Sequence, residues 1–167
     1  SANASANPFT VDVTAPALVI SAPSSSPIKT GATTTYTVTY SGADSVSLAN
    51  GDVSFTATSG AATGCTAAVS GTGTTTRLIT VSGCSANGVI YPSIAAATAS
   101  DTAGNTAASA NASANPFTVD VTAPTLVISA PSSSPIKAGA TTTYTVTYSA
   151  ADSVSLANGD VTFTATS

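Results

Sequence analysis

The chain has 167 residues, of which only three are basic and seven are acidic, so its net charge is −4. This balance excludes a positively charged surface for nucleic acid, and no apolar run approaches the ~20 residues that a membrane-spanning helix needs. His and Glu are absent, so acid–base catalysis would depend on Asp alone, and we expect a protein that is not an enzyme.

Apolar and polar residues alternate with a period of two over most of residues 17–122, which is typical of β-strands with one face in water. In chain order, we expect strands at 18–20, 35–40, 46–48, 53–58, 65–69, 77–81, 89–94 and 117–122. Turn-forming Pro, Asn, Asp and Gly residues separate them. Short strands at this density predict an all-β fold built from antiparallel β-sandwich domains of about seven strands each.

The sequence repeats itself with a period of 108 residues. Residues 1–59 recur as 109–167 with 55 of 59 positions identical. A repeat of this length is one small domain with its own core rather than a solenoid unit. We therefore predict the last strand of a preceding domain at 1–14, one complete domain at 15–122 and the first part of a following domain at 123–167. The third domain lacks its later strands, and residues 1–14 of a second chain could supply only the last of them. We therefore expect the missing strands to belong to a longer covalent array.

Both cysteines of the chain lie in the complete domain. A turn at 70–76 would fold one predicted strand back onto the next and place Cys65 and Cys84 at the open end of this hairpin. A bulge at Ser82 and Gly83 would let the two side chains meet. We expect a Cys65–Cys84 disulfide, and the alternative is a pair of free buried thiols. A structural disulfide implies export from the reducing cytoplasm.

Five segments of the chain form a set that is more specific than any one of them alone. They are Val-Asp-Val-Thr-Ala-Pro at 11–16, Thr-Tyr-Thr-Val-Thr-Tyr at 35–40, the 48–53 segment, the paired cysteines and Ala-Ser-Asp-Thr-Ala-Gly-Asn at 99–105. As a set they resemble the bacterial Ig-like repeats of very large surface and secreted proteins. The resemblance covers the whole chain and implies tandem Ig-like domains outside the cell, in an adhesin stalk or an extracellular fibre. It does not imply a particular ligand.

The acidic residues are the only candidates for a binding site. In an Ig-like domain the loops that hold Asp44, Asp101 and Asn105 lie at the pole where the chain enters, close to Asp12. Carboxylate and amide oxygens suit a hard cation, and the resemblance implies calcium at domain junctions. The alternative is that these side chains hold turns through hydrogen bonds to the backbone.

The function that these observations favour is structural. We expect a repeat that acts as a mechanical spacer in an extracellular or cell-surface stalk or filament. Its partners would be adjacent repeats of the same chain and identical chains in a fibre. The alternative is that each repeat is a glycan- or protein-binding module, which would require an exposed aromatic cluster. Tyr36 and Tyr40 alternate inward with Val38, so we expect these rings in the core instead.

Overall fold

Strands account for nearly all of the regular structure. The computed structural model describes residues 9–165 and separates them into unit 1, which ends at Val121, and unit 2, which begins at Thr122. Among the described residues, helical structure is limited to two three-residue 3-10 turns, Asn50–Asp52 and Asn158–Asp160. Neither is long or apolar enough to cross a membrane. The predicted all-β class is therefore confirmed.

The described part of unit 1, residues 9–121, contains ten strands. They are β1 Ala17–Ile20, β2 Thr34–Ser41, β3 Ser45–Val46, β4 Val53–Gly60, β5 Thr66–Ser70, β6 Thr76–Ser82, β7 Gly88–Ile94, β8 Ala99–Ser100, β9 Ala110–Asn111 and β10 Phe117–Val119. One antiparallel sheet has the order β1-β2-β6-β5, and a second has the order β10-β7-β4 with β9 also on β7. The short strands β3 and β8 form a separate two-stranded sheet.

The core of unit 1 is formed by side chains from both larger sheets. The inward side chains of β2 and β6 are buried together with those of β7 and β10 in one apolar cluster. The rings of Tyr36 on β2 and Phe117 on β10 join the two sheets, with their centroids 6.2 Å apart. Every second residue of β2 is buried, while the threonines between them are mostly exposed. The period-two pattern therefore identified the core face of this strand correctly.

Several strand ends differ from the sequence prediction. The strand expected at 46–48 is the two-residue β3, because the chain turns at Asn50–Asp52 soon afterwards. The strand expected at 117–122 ends at Val119. The alternation of residues in the sequence does not show where a neighbouring strand ends. The strand ends are determined by the pairing with that neighbour.

Over residues 122–165, unit 2 contains two paired strands, β11 Thr125–Ile128 and β12 Val146–Ser149. Their register, with Leu126 opposite Tyr148, repeats the pairing of Leu18 with Tyr40 in unit 1. The apolar residues of unit 2 differ from their unit 1 counterparts in exposure. Tyr144, for example, is 45% exposed, whereas Tyr36 is fully buried.

Candidate functional site

The predicted Cys65–Cys84 disulfide is present at one end of the β5–β6 hairpin, with an S–S distance of 2.04 Å. In the register of this hairpin Thr66 lies opposite Ser82, so Cys84 is one position beyond the residue that directly faces Cys65. The intervening Gly83 has a φ of +74°, in the left-handed region that glycine adopts readily. Gly83 therefore supplies the extra residue that the bulge prediction required.

Asp101 and Asn105 form one polar turn of unit 1. The Asp101 carboxylate accepts the Asn105 backbone N–H and the Asn105 side-chain amide N–H, each at 2.8 Å. The same amide nitrogen lies 3.1 Å from the backbone carbonyl oxygen of Asp12. The hydrogen bond from the Asn105 side chain is the main cause that lowers the pKa of Asp101, and backbone N–H groups of the turn add to it. The carboxylate is thus stabilised in its charged form.

Asp44 lies beside the same turn but bonds to a different residue. Its carboxylate accepts both the backbone N–H and the hydroxyl of Thr102, at 2.8 and 2.6 Å. Asp12 uses its own carboxylate to accept the N–H of Thr14 at 2.9 Å. The structure therefore brings the loops of Asp12, Asp44, Asp101 and Asn105 together in one region, which we call the acidic pole.

The bonds at the acidic pole match the turn interpretation of these residues. Asp44 and Asp101 accept backbone donors, and Asn105 directs its N–H groups rather than its oxygen toward Asp101 and Asp12. Within residues 9–165 no three His, Cys, Asp or Glu side chains come close enough together to hold a metal ion. These contacts favour the turn interpretation and do not test calcium binding.

Arg77 has a structural role that the sequence analysis did not assign. Its buried guanidinium donates to the carbonyl oxygens of Gly73 at 2.8 Å, Thr76 at 2.9 Å and Val46 at 3.0 Å. The period-two pattern of β6 contained the signal, because Arg77 shares a face with the buried Ile79. A charge on an inward position needs partners, and here three carbonyl dipoles provide them.

Two tyrosine hydroxyls are hydrogen-bonded at the edge of the core. Tyr36 donates to the carbonyl oxygen of Asn115 at 3.0 Å, and the Tyr40 hydroxyl lies 3.1 Å from the Thr98 hydroxyl. Burial raises the pKa of Tyr36 to about 12, and burial is also the main cause that raises the pKa of Tyr40. Both rings are buried, which fits packing rather than sugar stacking as their role.

The segment before β2 makes a parallel contact with the last strand of unit 1. Ile28 and Val119 form a parallel bridge. Ile28 donates its N–H to the Thr118 carbonyl, and its own carbonyl accepts the N–H of Asp120, both at 2.9 Å. The Ser26 hydroxyl accepts the N–H of Thr118, also at 2.9 Å. Three hydrogen bonds thus join residues near the two ends of unit 1, and we call this contact the terminal clamp.

Unit 2 presents an apolar groove of about 410 Å³. Its walls include side chains of β11 and β12 together with Tyr144, Leu156 and Phe163. The rings of Tyr144 and Phe163 are in tilted contact, with centroids 6.4 Å apart, and both are solvent-exposed. This is an exposed aromatic pair that the sequence analysis did not expect. The counterpart of Tyr144 in unit 1 packs against Phe117 instead, so the groove corresponds to a core surface.

Comparison of the chain with protein-family models, curated proteins and solved structures finds no match. Function is therefore inferred from the contacts and chemistry of the chain's own residues.

Proposed function

We propose that unit 1 is an Ig-like β-sandwich domain and that the chain is a mechanical spacer of an extracellular stalk or fibre. The strand orders β1-β2-β6-β5 and β10-β7-β4 support this proposal, because they are the orders of the two sheets of a seven-stranded Ig-type sandwich. The 108-residue sequence repeat supports a tandem arrangement. The disulfide supports a location outside the reducing cytoplasm.

The observation that carries the mechanical part of the proposal is the terminal clamp. A chain under tension pulls unit 1 at its first strand, near Leu18, and at its last residue, Val121. In a parallel pair, a pull on the N-terminal side of one strand and the C-terminal side of the other runs along both strands. All hydrogen bonds of the pair then carry load together instead of opening one at a time. The clamp bonds of Ile28 and Ser26 have this geometry.

The disulfide would limit how far an opened domain can extend. The 18 residues between Cys65 and Cys84 remain inside a closed loop when the rest of unit 1 is pulled out. At 3.3–3.6 Å per residue this withholds roughly 60 Å of extended chain. The bridge would therefore shorten the extension of an opened domain by this amount.

Single-molecule pulling on the two ends of the 167-residue chain tests the proposal. We expect a distinct rupture peak for unit 1, followed by an extension that grows by roughly 60 Å when the disulfide is reduced. Ser26→Ala removes one clamp bond, worth about 1 kcal/mol, so at a given force unit 1 should open about fivefold faster.

The matched control is Ser85→Ala, because the Ser85 hydroxyl donates to Thr63 at 3.2 Å and lies outside the clamp. We expect this variant to rupture at the wild-type force. Gradual extension without a peak, or equal effects of the two serine substitutions, would contradict a load-bearing role. Saturable binding of a defined sugar by the same chain on a glycan array would favour the binding-module alternative.

A further inference from the structure

Strand β4 of unit 1 forms an open edge of its sheet. Among residues 9–165, β4 pairs with β7 on one side and with no strand on the other. It has eight residues, and its sequence Val-Ser-Phe-Thr-Ala-Thr-Ser-Gly contains no charge and no proline. A long, uncharged edge strand of this kind is a template for pairing with another chain.

The other edges of the two larger sheets are shorter or are covered by other groups. β10 is covered by the terminal clamp, through Ile28. On β5, the N–H of Val69 donates to the side-chain oxygen of Asn50 at 2.7 Å. β1 has only four residues. β4 is therefore the edge best suited to receive a further strand.

The backbone groups that point to the open edge of β4 belong to Phe55 and Ala57. The Asp52 carbonyl accepts the N–H of Ala95 at 2.9 Å, so the main chain of Asp52 faces the β7 side. Because these groups alternate between the two edges of a strand, Phe55 and Ala57 direct their N–H and C=O groups away from β7. Pro92 lies opposite Phe55 and agrees with this direction, since it has no N–H to donate.

The side chains of β4 also show that the core cover ends at this strand. Val53 and Phe55 pack against the core but are only half-buried, whereas Ser54 and Thr56 on the opposite face are exposed. A further strand beside β4 would bury more of Val53 and Phe55 and would add backbone hydrogen bonds at the same time.

We propose that β4 of unit 1 pairs antiparallel with β4 of a second copy of this chain. A two-fold axis at Thr56 would place Phe55 of each copy opposite Ala57 of the other. Each of these two pairs exchanges two backbone hydrogen bonds, so four bonds join the copies. In this register each Phe55 ring meets a small alanine rather than a second ring.

The charges around β4 favour a second copy in the antiparallel direction. The chain has a net charge of −4, but β4 itself is uncharged, so two copies can approach here without direct repulsion and an oppositely charged partner gains nothing. Asp52, immediately before β4, would lie level with Gly60 of the other copy. The two Asp52 carboxylates would then be about 27 Å apart, well beyond the screening length of ~8 Å, whereas parallel pairing would place them side by side.

The contact is small, because a bulge between Ala57 and Ser59 ends the regular pairing of β4. We therefore expect weak, reversible association of the 167-residue chain. In the tandem arrangement proposed above, the same contact would recur in each domain and strengthen lateral association. The pairing itself does not depend on the spacer function, so the pulling experiment and the association experiment can fail separately.

Sedimentation velocity of the 167-residue chain over a range of concentrations tests the proposal. We expect the wild type to pass from monomer to dimer as its concentration rises. Thr56→Asp and Thr56→Lys each place two like charges face to face at the two-fold axis, so each variant alone should associate about fivefold more weakly. An equimolar mixture of the two variants should recover the wild-type association, because opposite charges then meet.

Thr37→Asp is the matched control, because Thr37 is an exposed threonine on β2, in the other sheet. This variant should associate like the wild type. Hydrogen exchange at the backbone N–H groups of Phe55 and Ala57 should slow as the concentration rises, while exchange at Thr56, whose N–H faces β7, should not change. Three results would overturn the proposal: a wild-type chain that is monomeric throughout, a Thr56→Asp variant that associates normally, or unchanged exchange at Phe55 and Ala57.

Discussion

Loss of the Cys65–Cys84 disulfide should lower the melting temperature of unit 1 markedly. The bridge closes a loop between residues 19 positions apart. The chain-entropy relation gives about 3 kcal/mol of stabilisation for a loop of this size, because the open chain of the unfolded state gains freedom when the bridge is removed. A domain of roughly 105 ordered residues unfolds with an entropy of about 2.1 cal/mol/K per residue, so 3 kcal/mol corresponds to about 15 °C.

Differential scanning calorimetry of the wild type and of the double variant Cys65→Ala, Cys84→Ala would measure this difference. Alanine keeps both positions apolar, so the double variant removes the cross-link without burying a new polar group. Adding a reductant should lower the wild-type melting temperature to that of the variant and leave the variant unchanged. If the double variant melted within about 3 °C of the oxidised wild type, the entropic account of the bridge would be wrong.

Three further perturbations test the local chemistry of unit 1. Gly42→Ala should destabilise unit 1 by about 1 kcal/mol in urea unfolding, because Gly42 has a φ of +72°. The added Cβ would meet nothing closer than 3.9 Å, so the cost comes from the backbone conformation and not from a clash. Gly51→Ala is the control and should be nearly neutral, because Gly51 lies at an open site without a left-handed φ. Between pH 10 and 12 unit 1 should lose about 2–3 kcal/mol of stability, because the folded-state pKa of Tyr36 is about 12 and the unfolded value is 10.0. The folded state favours the protonated hydroxyl of Tyr36, so this contribution to stability is fully present below pH 10 and is lost as the pH rises toward 12. Tyr36→Phe should reduce this pH-dependent loss, which denaturation at each pH would measure. Calcium chelation should leave the melting temperature unchanged, since Asp44 and Asp101 already accept turn donors; a calcium-dependent rise that disappears in Asp101→Asn would favour the metal site.

Local patterns predicted the parts of the fold whose physical cause is local. The alternation of Tyr36, Val38 and Tyr40 with threonines placed these three side chains in the core, and all three are buried. The hairpin register and the extra Gly83 brought Cys65 and Cys84 together, because both follow from strands that are neighbours in sequence.

The terminal clamp and the role of Arg77 were not predicted, because they depend on residues far apart in the chain. Ile28 and Val119 are 91 positions apart, and a parallel bridge between such segments leaves no periodic signal in either one. The guanidinium of Arg77 meets the carbonyl of Val46, which is 31 positions earlier and lies in the separate β3–β8 pair. The sequence predicted which residues lie at the acidic pole. It did not predict the directions of their hydrogen bonds, because these depend on the side-chain positions.

The four differences between the repeats include one that conflicts with backbone preference. Ala150 replaces the glycine found at position 42 and adopts a φ of 58°, which is unfavourable for a residue with a Cβ. Ala150→Gly should therefore relieve in unit 2 the same kind of backbone strain that Gly42→Ala would introduce in unit 1. This conservation of conformation despite the change of residue indicates that the turn geometry is determined by the strands on either side.

Arg77 links the β3–β8 ladder beside the acidic pole to a larger sheet. The β3–β8 ladder has two residues in each strand and would fray readily as an isolated pair. Through its bond to Val46, Arg77 fastens this ladder to β6 in the middle of a larger sheet. Asp44 immediately precedes β3 and Asp101 immediately follows β8. We therefore expect the Arg77 bond to help protect both loops against hydrogen exchange and proteolysis.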